Sequence, residues 1–221
     1  MSRTVVITGA NRGIGLELAR HYVRQGDHVI GICRETSDEL DEIASMVIEN
    51  IDVTNADSVE QLAIVLSNEN IDILINNAGL FSNERLGNLD FDSIQRQMEV
   101  NAYGPLRVTE ALLSRLSAGS KIVSITSRMG SIEDNTSGNY YGYRASKAAL
   151  NTFSKSLAMD LQPKDIAVAV LHPGYVQTRM VGFSGDITPA DSANGLAQRI
   201  ETLTMENTGG FWHSNGEELP W

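Results

Sequence analysis

Six short runs of apolar and β-branched residues recur along the chain, and most are almost continuously hydrophobic rather than alternating. Strands that are buried on both faces have this pattern, and parallel sheets covered by helices contain such strands. The pattern therefore predicts six strands: TVVIT (4–8), HVIGIC (28–33), MVIENIDV (46–53), IDILIN (71–76), KIVSIT (121–126) and IAVAVLH (166–172).

Stretches of helical periodicity lie between these runs. The first places Ile14, Leu18 and Tyr22 on one face and reaches Gly26, a residue type that often follows a helix. The predicted helices cover 14–26, 55–68, 91–116 with a kink or break at Gly104-Pro105, 143–163 and about 189–203. Strands that alternate with helices in this way predict an α/β fold with a doubly wound sheet and helices on both faces.

The composition narrows the class of protein. A length of 221 residues with 42 % hydrophobic residues suits a single domain, residues 1–221, with a substantial core. The 17 basic and 28 acidic residues give a net charge of −11, which disfavours nucleic-acid binding. The single Cys33 excludes an internal disulfide. Without a signal-peptide pattern or an apolar run long enough to cross a membrane, the sequence predicts a soluble cytoplasmic protein.

A glycine cluster, TGANRGIG (8–15), follows the first predicted strand and begins the first predicted helix. Gly9 permits a sharp turn, Gly13 lets a phosphate approach the backbone, and Gly15 lets the helix pack closely on the sheet. The helix N-terminus then offers free N–H groups to a pyrophosphate. A glycine-rich turn without a ligand is the alternative, but the position after the first strand favours a dinucleotide site.

The second predicted strand indicates which dinucleotide is bound. It ends at Cys33, and Arg34 follows where an NAD site usually has an acid. A guanidinium suits a ribose 2′-phosphate, and Arg12 supplies a second positive charge. NADP(H) is therefore favoured over NAD(H), although Glu35 stands close to the position of an acidic discriminator and favours the opposite choice.

Half of the six tyrosines lie in NYYGYRASKAAL (139–150). Tyr143 and Lys147 are four residues apart and share one helix face, where an ammonium lowers the pKa of a phenol from ~10. A phenol of lowered pKa can exchange a proton with a substrate oxygen near neutral pH. Tyr140 has only Arg144 at the same spacing, and a guanidinium does not readily lose its proton. An ordinary surface pair is the alternative for Tyr143 and Lys147.

Taken together, the motifs resemble the short-chain dehydrogenase/reductase family in its single-domain form. The resemblance implies a Rossmann fold with a mostly parallel sheet of about seven strands. Within the family the chain is similar to the small carbonyl reductases of the sniffer and C-factor type, through residues 134–151 and NGEELPW (215–221). The family motifs are TGANRGIG (8–15), DV (52–53), NNAG (76–79), Asn101, Ser127, YRASK (143–147) and HPGYVQT (172–178).

The resemblance implies four catalytic residues: Asn101, Ser127, Tyr143 and Lys147. Ser127 would bond the carbonyl oxygen of the substrate, and Tyr143 would be the general acid in reduction. Lys147 would hold the nicotinamide ribose and lower the pKa of Tyr143, and Asn101 would position a water that links Lys147 to solvent. Ser131 is the alternative serine, and residues 133–138 form an extra loop between Ser127 and Tyr143.

The resemblance also implies a cofactor site along the carboxyl edge of the sheet. Asp52 and Val53 would contact adenine, and residues 173–178 would frame the nicotinamide. The implied cofactor contacts are Gly9, Asn11, Arg12, Gly13, Ile14, Gly15, Arg34, Asp52, Val53, Asn77, Ala78, Gly79, Tyr143, Lys147, Pro173, Gly174, Val176 and Thr178.

The expected function is NADPH-dependent reduction of aldehydes or ketones, reversible as alcohol oxidation. A cofactor-binding regulatory or signalling protein with little turnover is the alternative, and the short chain after Thr178 disfavours a sugar epimerase. The short segment between Thr178 and Pro189 predicts an open substrate site. Relatives form dimers through helices like those at 105–116 and 143–162, so a homodimer or homotetramer is expected unless these apolar faces point to the core.

Overall fold

The computed structural model describes residues 2–221, and within them seven strands form one parallel sheet. The strand order is β3-β2-β1-β4-β5-β6-β7. The strands are β1 (Thr4–Thr8), β2 (His28–Ile32), β3 (Met46–Ile48), β4 (Ile71–Asn76), β5 (Leu116–Ile125), β6 (Ala167–His172) and β7 (Gly210–His213). The helices are α1 (Gly13–Arg24), α2 (Asp38–Ile43), α3 (Ala56–Val65), α4 (Phe91–Met98), α5 (Gly104–Leu112), α6 (Tyr141–Leu161) and α7 (Pro189–Glu201).

Helices cover both faces of the sheet, which explains the continuous hydrophobic runs. Successive side chains of a strand point to opposite faces. Accordingly, Val5 and Ile7 of β1 belong to one buried core, which α1 and α7 complete, and Val6 belongs to a second core on the other face. All three residues are fully buried. The predicted doubly wound α/β fold is confirmed.

The six predicted strands are present: two have the predicted bounds, two are one residue shorter, and two differ by more. The strand predicted over 46–53 ends at Ile48, because Asn50 has a left-handed φ of 62° that a strand does not accommodate. The strand predicted over 121–126 begins earlier, at Leu116, across an irregularity in its pairing with β4. The seventh strand, β7, was expected only from the family resemblance.

The helix predicted over 91–116 is divided by a π-helical turn over Glu99–Tyr103. The division lies just before Gly104-Pro105, the site of the predicted break. Gly104 packs against Val53 so closely that a Cβ on Gly104 would lie 2.8 Å from Val53 Cγ2. A π-helical turn changes the direction of the following side chains, and such turns are frequent at functional sites.

The topology creates a crevice at the carboxyl ends of the central strands. β1 pairs with β2 on one side and with β4 on the other, so the chain segments that follow β1 and β4 diverge. Ligands of open parallel sheets bind outside such a switch point. Among residues 2–221, no helix has both the length and the apolar character that a membrane span requires.

Candidate active site

The glycine turn after β1 adopts the conformation that its glycines permit. Gly9 has a φ of 66° and Gly13 a φ of 56°, both in the left-handed region. A Cβ on Gly15 would overlap the carbonyl oxygen of Gly9 and lie 2.5 Å from Asn77 Nδ2. The predicted reasons for Gly9 and Gly15, a sharp turn and close helix packing, are therefore confirmed.

The N-terminus of α1 is available to an anion. Arg12 occupies the cap position without a side-chain hydrogen bond to the helix, and the first turn contains no acidic residue. Free N–H groups and the positive end of the helix dipole therefore face the crevice. The glycines leave room for an anion to approach the backbone closely. These features fit a dinucleotide pyrophosphate.

The Asn77 side chain connects the end of β4 to the glycine turn through hydrogen bonds. Its Nδ2 donates hydrogen bonds to the carbonyl oxygens of Thr8 and Gly9, each at 3.0 Å. The Thr8 hydroxyl in turn accepts from the backbone N–H groups of Asn77 and Ala78 at 3.0 and 3.1 Å. The Asn77 side chain thus fixes the shape of the cofactor crevice through contacts within the protein.

Two guanidinium groups border the predicted ribose site. Arg12 and Arg34 are exposed, and within residues 2–221 neither side chain makes an ion pair. The Asn11 side chain donates to the Glu35 carbonyl oxygen at 2.7 Å and ties the glycine turn to the end of β2. Both positive charges are therefore free to meet a phosphate.

The two residues predicted to contact adenine, Asp52 and Val53, are held by contacts within the protein. Asp52 Oδ1 accepts from the backbone N–H and the hydroxyl of Thr54 at 2.9 and 2.8 Å. Burial alone raises the pKa of Asp52, but the hydrogen bonds from Thr54 and the charge of Arg34 hold it below its ordinary value. Val53 is only 9 % exposed.

Tyr143 and Lys147 lie on the first turns of α6, but they are not a surface pair. Lys147 is 4 % exposed, and its Nζ donates to the Ile125 carbonyl oxygen at 2.8 Å. The same Nζ lies 5.8 Å from the centroid of the Tyr143 ring. α6 thus places the ammonium and the phenol together beside the end of β5.

In the protein alone, the net shift of the Tyr143 pKa is upward, opposite to the fall expected from Lys147. Burial raises the pKa of Tyr143 to about 12, and an interaction with the Ser127 side chain opposes the rise. Burial also lowers the pKa of Lys147 to about 7. Removal from water disfavours the charged form of each group, and this is the cause of both shifts.

This burial predicts a pH-dependent contribution of Lys147 to stability. Between a folded-state pKa of about 7 and an unfolded-state value of 10.5, the unfolded chain binds more protons. The free energy of unfolding of the wild type, relative to Lys147→Met, should therefore rise from pH 7 to pH 10, by at most roughly 1.4 kcal/mol per pH unit. Urea denaturation of the wild type and Lys147→Met at several pH values measures this difference in the free energy of unfolding. Lys164→Met, at an exposed lysine, is the control. A difference that does not change with pH would contradict the prediction.

The Ser127 side chain interacts with Tyr143, whereas the Ser131 hydroxyl has other partners. Ser127 begins a short turn after β5, where its Oγ accepts from the backbone N–H of Met129 at 3.1 Å. Ser131 is 2 % exposed, and its hydroxyl donates to the Trp221 carbonyl oxygen at 3.0 Å. The Ser131 hydroxyl therefore holds the following loop to the C-terminal segment.

Asn101 lies in the π-helical turn and is fully buried. Its Oδ1 accepts from the Leu80 N–H at 2.7 Å, and its Nδ2 donates to the Leu80 carbonyl oxygen at 2.7 Å and to Ser146 Oγ at 3.0 Å. Both amide hydrogens are used within the protein. The Asn101 side chain therefore fixes the segment that follows β4, and its role in positioning a water stays a prediction.

The predicted nicotinamide segment follows β6. The Pro173 carbonyl oxygen accepts from the hydroxyls of Ser192 and Ser214 at 2.7 and 3.2 Å, and Gly174 has a φ of 90°. These bonds hold the segment against α7 and β7. Thr178 then reaches the glycine turn, where a Cβ on Gly13 would lie 3.6 Å from Thr178 Cγ2.

The short segment after Thr178 folds back as a compact turn. The Gln177 N–H donates to the Ile187 carbonyl oxygen at 2.9 Å, and the hydroxyls of Tyr175 and Ser184 lie 2.6 Å apart. Gly185 packs directly on the backbone of Val176 and Gln177. Met180 and Phe183 remain 46 and 68 % exposed.

Phe81 also lies at the predicted site, although no sequence motif contains it. Its ring contacts the ring of Tyr143 edge-on, with 4.9 Å between centroids, and the ring of Tyr140 at 5.6 Å. Phe81 follows NNAG (76–79) by two residues. This short distance from NNAG is the sequence feature that could have indicated a place for Phe81 near the site.

Comparisons with known proteins agree with this geometry. The family described as short chain dehydrogenase matches residues 3–187. A 1-hydroxy-2-glutathionyl-2-methyl-3-butene dehydrogenase of Rhodococcus sp. (strain AD45) is 40 % identical and aligns over 99 % of both chains. The C-signal protein of Myxococcus xanthus is 43 % identical over 68 % of this chain and 93 % of its own length.

Solved structures show the same likeness. The carbonyl reductase Sniffer of D. melanogaster superposes with a TM-score of 0.90 at 29 % identity and full coverage of both chains. An NADPH-bound carbonyl reductase from chicken fatty liver superposes with a TM-score of 0.90 at 28 % identity, over 100 % of this chain and 99 % of that one.

Proposed function

Because the chain belongs to the short-chain dehydrogenase/reductase family, and is an oxidoreductase on that ground, we propose that it reduces aldehydes or ketones with NADPH. The reverse reaction would oxidise the corresponding alcohols. The observation that supports the proposal is that Tyr143, Lys147 and Ser127 lie at the carboxyl end of β5, on the edge of the sheet that also has the glycine turn and the uncapped N-terminus of α1.

The crevice suits a nicotinamide dinucleotide, which supplies a hydride when bound. The N-terminus of α1 and the Gly9–Gly15 turn would hold its pyrophosphate. Thr178, next to Gly13, and Gly174 would hold the nicotinamide part of the cofactor. The distribution of charge supports NADP(H), since Arg12 and Arg34 bring two unpaired guanidinium groups to the adenosine side.

The protein's own groups would act on the carbonyl oxygen. Ser127 Oγ would donate a hydrogen bond to that oxygen and stabilise the negative charge that develops on it. Tyr143 would donate its phenolic proton to the same oxygen. A pKa of about 12 keeps the phenol protonated at neutral pH, so Tyr143 is ready to act in the direction of reduction.

The opposite direction requires a phenolate, and Lys147 would supply the charge that stabilises it. In the protein alone, its pKa of about 7 leaves only part of the population charged. Hydrogen bonding to ribose hydroxyls and to the phenolate would favour the ammonium. Asn101 would act by holding Leu80 and Ser146, the latter next to Lys147 in the sequence.

We expect Arg34→Asp to change the cofactor preference. A charge-assisted contact to the 2′-phosphate is worth about 1.5–3 kcal/mol, so the ratio of kcat/KM for NADPH to that for NADH should fall about 10- to 100-fold or more. Steady-state kinetics with both cofactors measure the ratio. Arg24→Asp, an exposed substitution at the far end of α1, is the matched control, and an unchanged ratio in Arg34→Asp would remove Arg34 from the site.

A second candidate is a cofactor-binding regulator with little turnover, which the 43 % identity to the C-signal protein favours. A panel of aldehydes and ketones, assayed with NADPH and NADH in parallel, separates the two functions. Steady NADPH oxidation supports the reductase. If the wild type binds NADPH and turns over no member of the panel, the regulator is the better description.

Three further proposals concern the whole protein. Residues 1–221 form one domain with an integrated catalytic site, and the protein is cytoplasmic. The protein also forms a homodimer or homotetramer through α5 and α6. In support of the assembly, Met159 of α6 is 60 % exposed, and Tyr103, just before α5, is 39 % exposed. Leu150 and Leu161 of the same helix are buried in the protein, so only part of its apolar surface is available.

A further inference from the structure

An acidic residue outside the predicted site is almost completely buried beside the catalytic helix. Glu84 is 3 % exposed, and its Oε1 accepts from Ser93 Oγ at 2.7 Å and from Gln97 Nε2 at 2.9 Å. Its Oε2 accepts from the backbone N–H of Gly142 at 3.3 Å, one residue before Tyr143. Hydrogen bonds thus engage both oxygens of a buried carboxylate at the N-terminus of α6.

α6 needs such an acceptor because it has no cap of its own. The residue at its cap position, Tyr140, has a left-handed φ of 55° and makes no side-chain hydrogen bond to the helix. Gly138 and Asn139 also have positive φ, at 65° and 55°. A left-handed conformation is unfavourable for a bulky residue such as tyrosine and persists only where its surroundings impose it.

The backbone of Glu84 helps to impose that conformation. The Tyr140 N–H donates to the Glu84 carbonyl oxygen at 2.9 Å, so Glu84 contacts the entry of α6 through its main chain and its side chain. Gly142 is packed so tightly on α4 that a Cβ there would overlap Gln97 Nε2 and lie 3.0 Å from Ile94 Cα. The first turn of α6 is therefore held against α4 through Glu84 and Gln97.

We propose that Glu84 is a positioning residue for the reaction: its carboxylate caps α6 from a separate segment and thereby fixes Tyr143 at the site. A carboxylate suits this place because it accepts hydrogen bonds at both oxygens, and its negative charge is favourable at a helix N-terminus. Burial alone raises the pKa of Glu84, but the hydrogen bonds from Ser93 and Gln97 hold it below its ordinary value.

The same segment also determines where Phe81 lies. The Ser82 N–H donates to Gln97 Oε1 at 3.0 Å, so Gln97 binds both Ser82 and Glu84. Phe81, next to Ser82, contacts the Tyr143 ring at 4.9 Å. Loss of the Glu84 carboxylate should therefore disturb Tyr143 from two directions, through the helix entry and through the neighbouring ring.

The inference rests on the proposed reductase function, so its test has one readout that needs turnover and one that does not. In Glu84→Ala, kcat for carbonyl reduction should fall at least about tenfold, while the Kd for NADPH stays within about twofold. Amide hydrogen exchange in residues 141–147 should accelerate about tenfold, with residues 154–161 unchanged. Glu84→Gln, which keeps one oxygen acceptor, should restore part of both effects and is the variant to use if Glu84→Ala does not fold.

Ser120→Ala is the matched control. Ser120 is 3 % exposed and donates to the Ile71 carbonyl oxygen at 2.8 Å, near the amino ends of β4 and β5 and away from the site. Its removal should leave kcat and the exchange of residues 141–147 unchanged. Wild-type exchange at 141–147 in Glu84→Ala, or equal acceleration along the whole chain, would overturn the inference. If the wild type turns over no carbonyl compound, the reductase proposal fails and the exchange measurement alone decides the role of Glu84.

Discussion

Replacement of Tyr143 by phenylalanine is expected to lower kcat for carbonyl reduction by about 10²- to 10⁴-fold, the usual contribution of a positioned general acid. The substitution removes one hydroxyl and keeps the ring that packs on Phe81. The Kd for NADPH, measured by the quenching of its fluorescence, should remain within about twofold, because the proposed pyrophosphate site lies at the N-terminus of α1. A loss of turnover with retained cofactor binding is the signature of a missing proton donor.

Tyr141→Phe is the control for this experiment. Tyr141 begins the same helix but is 42 % exposed and has an alanine, Ala145, at the spacing that Lys147 has from Tyr143. Its kcat should stay close to that of the wild type. Equal activity of Tyr143→Phe and the wild type would show that the proton comes from another group.

Gly15→Ala should abolish the cofactor site and cost stability. The new Cβ would overlap the Gly9 carbonyl oxygen, which is backbone and cannot rotate away. Forcing a methyl group into a packed site typically costs 1–3 kcal/mol, and we expect a value near the upper end, about 3 kcal/mol. Because the displaced turn would carry the pyrophosphate, the Kd for NADPH should rise more than about tenfold. Urea denaturation and NADPH titration measure the two effects.

Gly26→Ala separates these two effects. Gly26 follows the other end of α1, has a φ of 82°, and has no atom within 4 Å of a new Cβ. Its left-handed backbone gives a stability loss of about 1 kcal/mol without contact to the crevice. NADPH binding should therefore be unchanged in Gly26→Ala, and normal NADPH binding by Gly15→Ala would place the cofactor elsewhere.

The central strands were predictable because both faces of each are buried. Ile71–Asn76 and Thr4–Thr8 have the predicted bounds, since most positions in them are apolar. The pattern of hydrophobic positions does not predict β7. It is four residues long, GFWH, and its two central aromatic residues provide too little periodicity to distinguish a strand from a loop.

The sequence predicts which residues form the site but not the electrostatics of that site. The spacing of Tyr143 and Lys147 identifies the pair, but it carries no information on how deeply each group is buried. Burial reverses the expected direction of the pKa of Tyr143. The hydrogen bonds of the Asn101 side chain to Leu80 and Ser146 likewise leave no local pattern, because only the tertiary structure brings these residues near.

Glu84 shows a second limit of sequence reasoning. Nothing in SNERLGN (82–88) distinguishes this glutamate from a solvated surface residue. Its partners, Ser93, Gln97 and Gly142, are separated from it by 9, 13 and 58 positions. A cap supplied by a distant segment leaves no local motif, unlike the side chain of Asn55, which caps α3 three residues before Ser58.

Isotope transfer tests the central claim most directly. The wild type is incubated with a panel of aldehydes and ketones and NADPH that carries deuterium at both C4 positions, and the alcohol product is analysed by mass spectrometry. Direct hydride transfer predicts an alcohol with one deuterium on the former carbonyl carbon, formed at a much lower rate by Tyr143→Phe. Tight NADPH binding without any deuterated alcohol from the panel would contradict the account.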